Sequence, residues 1–490
     1  MAGMRSCSVT SRSGTKWDRR EDVMLIALLD DGIDLCRCPD IRLREDLSVQ
    51  PDGTIRPRRA EEIIRTSHGT TCAQIIHRYA PEAEFCSLAI FLQPKLRTSP
   101  AQLLAALDWC LEKKIPLVHM SAGTTQLCDQ ESIRRLIAKM IQQGQTIVAA
   151  RSNDAERYTV PACCAGVLGV AADPELTGDQ FYVLDAIPDD VQIFASSRHD
   201  LSAYPWGKVE TVISNSYAAP TVTAKVHELL SDGWKSIPEL YRTLAKKPVS
   251  MARMRPDFLS VAVVFDPEHS IKTPELLDFQ VLGMFDNEAD FLAATERDQR
   301  TSAVLAPPLP SNQLWQKLFS QSEERCGIVY AGEVPGELQA SVPCLFWEET
   351  MRQSLISQVM GFPLDPEIPF VQVESCGESS LRLLCGLRNR LVKEGYGCVA
   401  ITDQPMAYLY GLEYLPRGCQ PEVLAAHLCR THSPDIALCS LMRPDPALPC
   451  DQWIAFRIYP EVRVTEEAIL LPPNFSAIDI EAIVQALLEE

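Results

Sequence analysis

The run Ile26-Ala27-Leu28-Leu29 is wholly apolar and stops abruptly on Asp30-Asp31-Gly32. A short stretch with no polar alternation reads as a strand buried on both faces, the kind found in parallel sheets covered by helices. The acidic, glycine-containing turn marks its carboxyl end, where open α/β sheets build their sites. This junction commits the chain to the α/β class and puts Asp30 where a site would stand.

Two later stretches supply partners for that carboxylate. In Ser67 to Ile76, His68-Gly69-Thr70 precedes Cys72, Ala73, Ile75 and Ile76 at helical spacing, so His68 falls in the first turn of a helix with Gly69 leaving room beside the ring. In Ser214 to Ala224, Ser216 precedes Tyr217-Ala218-Ala219-Pro220 and a second helical pattern, which places its hydroxyl at a helix N-terminus, where backbone N–H groups favour negative charge. A serine hydroxyl is not ionised at neutral pH. It needs an imidazole to take its proton and a carboxylate to orient that imidazole, so Asp30, His68 and Ser216 read as a catalytic set.

These segments resemble the subtilases, the subtilisin-like serine peptidases, which carry Asp, His and Ser in this chain order. Pro81-Glu82-Ala83 with the strand Phe85 to Phe91 resembles the family's strand after the His helix, and Leu117 to Gly123 its substrate-binding strand. Ile147 to Asn153 resembles its oxyanion segment, and Val160-Pro161-Ala162 with Val167 to Ala172 a further strand. The likeness runs from about Asp22 to Leu230. It implies a serine endopeptidase in which Asn153 supplies the oxyanion-hole side chain and Ser121, Ala122 and Gly123 pair with substrate. Asp30-Asp31-Gly32 and Thr70 to Ala73 are similar to the kexin-like branch, which cuts after basic residues; Asp154 and Glu156 would suit a cationic side chain. Pro39-Asp40-Ile41 resembles a turn whose Asp ligates calcium in the family, but no second oxygen cluster accompanies it, so no bound metal is expected.

Departures fall at the motif's small residues. Ser214 and Asn215 stand where the family has glycine and threonine, Ser152 replaces the glycine before the oxyanion asparagine, and Thr124 replaces the second glycine of the substrate strand. Each adds a side chain where backbone was exposed. They would either narrow the cleft or mark a site that binds peptide without cutting it.

Length and composition frame the rest. A chain of 490 residues exceeds one hydrophobic core. We expect an N-terminal tail (1–21), a peptidase domain (22–248), a Rossmann-like α/β domain (257–360) and a degenerate P-loop-like α/β domain (361–490), with a linker near Lys246 to Pro256. In the last, Phe370 to Val373 leads through Glu374 to Ser380 into a helix, the strand, turn and helix of a phosphate loop. Glu378 occupies its lysine position and Gln372 its first glycine position, so a carboxylate would face any phosphate, and neither nucleotide nor another cofactor is expected. Gly395 to Tyr414 resembles two-part modules of bacterial peptide-maturation systems. A formal net charge of −19 argues against nucleic acid. No run reaches a membrane span, and Met1 to Arg20 lacks an apolar signal core, so a cytoplasmic location is expected. The eighteen cysteines show no metal-site or disulfide spacing and read as buried or idle thiols; Cys72, four residues beyond His68, belongs beside the ring. Together these imply removal of a leader from a ribosomally made precursor peptide held by the C-terminal domains. The alternatives are a general intracellular protease or an inactive peptide-binding scaffold.

Overall fold

The computed structural model describes residues 24–62, 68–91, 97–234, 236–246, 249–297, 301–321, 327–333, 346–457, 462–465 and 468–489. The expected N-terminal tail, 1–21, lies outside the described residues. Three mainly parallel sheets follow one another along the chain.

The first sheet holds β1 (Leu25–Asp30), β2 (Arg42–Val49), β3 (Ile55–Pro57), β4 (Glu84–Ala89), β5 (Leu117–Met120), β6 (Thr146–Ala150), β7 (Leu168–Ala172), β8 (Phe181–Val183) and β9 (Ile193–Ala195). Their order is β3-β2-β4-β1-β5-β6-β7-β9-β8, parallel except at the two outer pairs. The apolar run expected as a doubly covered strand is β1, with Ile26 to Leu29 fully buried. At about 1.5–3 kcal/mol for each buried aliphatic side chain, this run anchors the sheet. The chain builds outward on one side of β1 through β4, then crosses to its other side at β5. Strand order reverses there, so the crevice at the carboxyl end of β1 is the switch point where α/β sheets place ligands.

Helices α1 (His68–Tyr79), α4 (Asn215–Ser231) and α5 (Ile237–Ala245) cover one face of this sheet, sharing a core with Ile26, Leu28, Phe85 and Val148. Helices α2 (Pro100–Glu112) and α3 (Leu127–Gln142) cover the other, and that core continues without a break into the rest of the chain. The Lys246 to Pro256 segment packs into that core where it is described. Ala252 and Met254 are buried in the shared core, and Gln192 Nε2 donates to the Ser250 carbonyl at 2.7 Å.

The second sheet comprises β10 (Val261–Phe265), β11 (Gln280–Phe285), β12 (Ser302–Leu305), β13 (Ile328–Tyr330) and β14 (Phe346–Trp347), all parallel in the order β11-β10-β12-β13-β14. In its own strand count this is 2-1-3-4-5, the flavodoxin-type variant of the doubly wound plan. The third holds β15 (Phe370–Val373), β16 (Cys398–Thr402), β17 (Glu413–Tyr414), β18 (Ile436–Ser440), β19 (Gln452–Phe456), β20 (Arg463–Val464) and β21 (Ile469–Leu471), with β15 between β18 and β19. A turn with Gly377 at a φ of +54° joins β15 to the helix Glu378–Lys393, the anticipated strand, turn and helix. Glu378 is held by Arg382 at 2.9 Å and Gln372 donates to the Pro449 carbonyl at 3.0 Å. No helix among the described residues is long and apolar enough to cross a membrane.

Candidate active site

Asp30 ends β1 with 1% exposure, and both its carboxylate oxygens face His68 Nδ1, at 3.0 and 2.8 Å. The ring belongs to the first residue of α1. Its position is fixed from two sides: the Asp31 carboxylate accepts the backbone N–H groups of His68 and Gly69 at 3.0 and 2.7 Å, capping the helix, and the Tyr217 ring stacks on the imidazole at 5.1 Å and 20°. Gly69 is required here, since a Cβ on it would lie 2.7 Å from the Gly32 carbonyl oxygen and 2.9 Å from the Asp30 Cβ. The room read from the sequence is real.

Electrostatics follow from this packing. Burial disfavours a charged His68, yet the neighbouring Cys72 sulfur and Asp30 carboxylate hold its imidazole above the usual histidine range. Cys72 is itself raised by burial and stays a thiol, so Asp30 is the charge we hold responsible. Asp31 is pushed up to about 6, by burial first and then by the Asp30 charge beside it.

Ser216 is the second residue of α4, half-buried, and its neighbour Tyr217 forms the stack on His68. Among the described residues no hydrogen bond joins the Ser216 hydroxyl to the ring. Such bonds are often long without substrate and tighten when it binds. What the structure brings together directly is the Asp30–His68 pair, with the Ser216 main chain alongside: Cys72 Sγ lies 3.7 Å from His68 Nδ1 and 3.6 Å from the Ser216 carbonyl oxygen.

Asn153 Oδ1 accepts the Asn215 N–H at 3.1 Å, which leaves Nδ2 as the donor end of its amide. Ser121, Ala122 and Gly123 follow β5 directly. The Ser121 hydroxyl turns inward and donates to the Ser216 carbonyl at 3.1 Å. A Cβ on Gly123 would meet the Val160 carbonyl oxygen at 2.7 Å, because Thr124 and Val160 exchange backbone hydrogen bonds at 2.9 and 3.0 Å.

The side chains at the altered motif positions do structural service. Asn215 Nδ2 donates to the Ser152 carbonyl at 2.7 Å, its Oδ1 accepts the Ala172 N–H at 2.7 Å, and the residue is buried. Ser152 Oγ accepts the Asp154 N–H at 3.1 Å. Ser214 is the N-cap of α4, its hydroxyl accepting the Ser216 N–H at 3.3 Å, so that N–H is engaged within the helix cap. The acidic pair after Asn153 is also claimed. Glu156 is salt-bridged to Arg430 of the third unit and Asp154 lies 3.7 Å from Arg157, which removes the support these residues lent to a cationic substrate.

Asp30, His68 and Cys72 are the group among the described residues whose ligand atoms lie close enough to share an ion. A carboxylate 2.8 Å from the ring nitrogen is at hydrogen-bond distance, and a thiol kept protonated by burial is a poor ligand. The donor set fits a proton better than a metal. Sequence reasoning missed the Asp31 cap and the Tyr217 stack. Asp31 reaches α1 from 37 residues upstream, and no local pattern records that.

No protein-family model matches the chain. It is 27% identical over 210 residues to the minor extracellular protease Epr of Bacillus subtilis (strain 168), across 41% of this chain and 30% of that protein. The chain thus spans under a third of that curated relative's length. Similar solved structures include the prenylagaramide maturation protease PagA, at 19% identity and a TM-score of 0.32 over 46% of this chain and 79% of that one. Another is the nisin leader peptidase NisP from Lactococcus lactis, at 15% identity and 0.33 over 45% and 81%. The likeness to Epr, with the Asp30–His68 pair at the sheet's switch point, supports a subtilase segment in the N-terminal unit.

Proposed function

We propose that the chain is a serine endopeptidase. The observation that carries this reading is the buried Asp30 carboxylate 2.8 Å from His68 Nδ1, with Tyr217, the residue after Ser216 at the N-terminus of α4, stacked on the same ring. In the reaction, Ser216 Oγ attacks the scissile carbonyl, His68 Nε2 takes its proton and later hands it to the leaving amine, and Asp30 holds the Nδ1–H tautomer. Asn153 Nδ2 stabilises the oxyanion, joined by the Ser216 N–H when it turns from the Ser214 hydroxyl, and the main chain of Ser121 to Gly123 pairs with extended substrate. No metal or cofactor takes part.

The substrate class we propose is a precursor peptide, cut to release its leader inside the cell. Its support is the architecture: the segment following Asn153 is fastened to the third sheet's unit, the Tyr158 N–H donating to the Thr431 carbonyl at 3.0 Å. A leader held on units 257–360 and 361–490 would reach the cleft of 22–248 at high effective concentration. The last unit serves as a nucleotide-free binding module.

A fluorophosphonate probe tests the reading. Labelling of the full chain that vanishes in Ser216→Ala supports it; a well-folded chain that takes no label shifts the case to a peptide-binding scaffold, the reading favoured by the engaged Ser216 N–H. Rapid, unselective digestion of casein would instead indicate general proteolysis.

A further inference from the structure

Helix α4 contains a proline where its hydrogen-bond ladder would serve the nucleophile. In an α-helix the carbonyl of residue 216 accepts the N–H of residue 220. Residue 220 is Pro, inside α4, with no N–H to give and a ring that crowds the carbonyl four residues back. The Ser216 carbonyl is thereby pushed off the ladder. It receives the Ser121 hydroxyl at 3.1 Å instead, with the Cys72 thiol at 3.6 Å.

Ser121 is in turn held from behind. His119, on β5 and fully buried, sets Nε2 3.1 Å from Ser121 Oγ and Nδ1 2.7 Å from Thr223 Oγ1. Thr223 lies one turn beyond Pro220 on the same helix. Two proton orders fit these distances. In one, Thr223 O–H donates to Nδ1, Nε2–H donates to Ser121, and Ser121 O–H donates to the Ser216 carbonyl. In the other, Nδ1–H donates to Thr223, the Thr223 hydroxyl turns to the Ala219 carbonyl at 3.1 Å, Ser121 donates to Nε2, and the Ser216 carbonyl keeps only a weak S–H donor. The first order satisfies every group, because the Ala219 carbonyl already has its helical partner in the Thr223 N–H. Burial lowers His119 to about 4, so the ring remains neutral and can donate at one nitrogen while accepting at the other.

Resting on the peptidase reading, the geometry points to His119 and Ser121 as positioning residues: a buried Thr223–His119–Ser121 relay replaces the amide that Pro220 lacks and fixes the main chain that aims Ser216. Neither residue touches the reacting atoms. The relay closes on the helix it came from, so α4 is braced across β5 at the residue bearing the nucleophile.

The test is a double-mutant cycle in the full chain. Pro220→Ala restores an N–H to the Ser216 carbonyl. Ser121→Ala should slow fluorophosphonate labelling tenfold or more in the natural background and less than threefold in Pro220→Ala. His119→Leu should repeat that pattern, and combining it with Ser121→Ala should add less than a further threefold. Equal losses in both backgrounds overturn the relay while leaving the peptidase reading standing. A wild-type chain that takes no label overturns the peptidase reading, and the relay is then decided by thermal midpoints: Ser121→Ala should lower the midpoint by roughly 2 °C, and by under half of that in Pro220→Ala. Equal drops sink it.

Discussion

The Asp31 carboxylate accepts the backbone N–H of His68 at 3.0 Å, so the residue beside Asp30 in the chain holds the main chain of the histidine whose ring Asp30 orients. Adjacent carboxylates thus divide the work. Asp30 sets the tautomer and Asp31 the helix start, and their closeness is what raises Asp31, after burial, to about 6.

Asp31→Asn separates these effects. The two N–H groups bind different carboxylate oxygens and an amide keeps only one oxygen, so α1 should lose about 1 kcal/mol of capping, with turnover falling at least tenfold while KM changes little. The pH dependence carries a sign. With the folded pKa raised above the unfolded one, the native state binds more protons between about pH 4 and 6, so stability falls as pH rises through that window and levels off above it. Thermal melts from pH 3.5 to 7.5 should show this decline in the natural chain and its loss in Asp31→Asn.

For the Asp30–His68 pair, the raised imidazole predicts the acid limb of activity. His68 acts only when neutral, so kcat/KM should rise with pH along a limb centred above the ordinary histidine value of about 6.5. Asp30→Asn should move that limb to lower pH and cut turnover by about 10⁴-fold, with Ser216→Ala losing about 10⁶-fold and Asn153→Ala about 10²–10³-fold. Rate profiles on a peptide substrate check all four; an acid limb unmoved by Asp30→Asn would remove His68 as its source.

Ser214 sets the N-cap of α4 against the proposed oxyanion hole, since its hydroxyl holds the Ser216 N–H at 3.3 Å. Glycine at an N-cap costs only a few tenths of a kcal/mol. Ser214→Gly should therefore leave the melting temperature nearly unchanged and raise turnover a few-fold by freeing that N–H, as steady-state kinetics will show. A tenfold fall would mean that the cap, not the freed donor, governs the site.

How far the sequence carried this depends on whether the signal was local. Ile26 to Leu29 ending in Asp30-Asp31-Gly32 spells out a buried strand and its turn, and Gly69 announces a close approach that the Gly32 carbonyl confirms. Non-local contacts left no such trace. Asn215 looked like an intrusion into the cleft, but its amide spans Ser152 and Ala172 on two other segments. Lys246 to Pro256 reads as the linker between units, and the burial of Ala252 and Met254 in a core shared with residues far along the chain leaves no local mark. Glu156 suits a cationic substrate by its charge alone, but Arg430, 274 residues away, pairs with it.

That last contact belongs to a seam with a measurable role. Tyr158 is five residues beyond Asn153 and buried; its ring meets His432 at 4.6 Å, its hydroxyl donates to Asp257 at 3.1 Å, and its N–H bonds Thr431. One side chain thus ties the Asn153 loop to the residues leading into the second unit and to the helix Pro421–His432 of the third. Tyr158→Ala should cost about 3–5 kcal/mol, as large aromatic truncations do, and should reduce kcat more than it raises KM because the loop bearing Asn153 loses its anchor. The exposed Glu156–Arg430 pair crosses the same seam but is solvated, so Arg430→Gln should cost no more than about 1 kcal/mol and leave kcat within twofold. Denaturant unfolding alongside steady-state kinetics on both variants separates the two contributions; a Tyr158→Ala chain with unchanged kcat would show that the third unit grips the loop without setting its geometry.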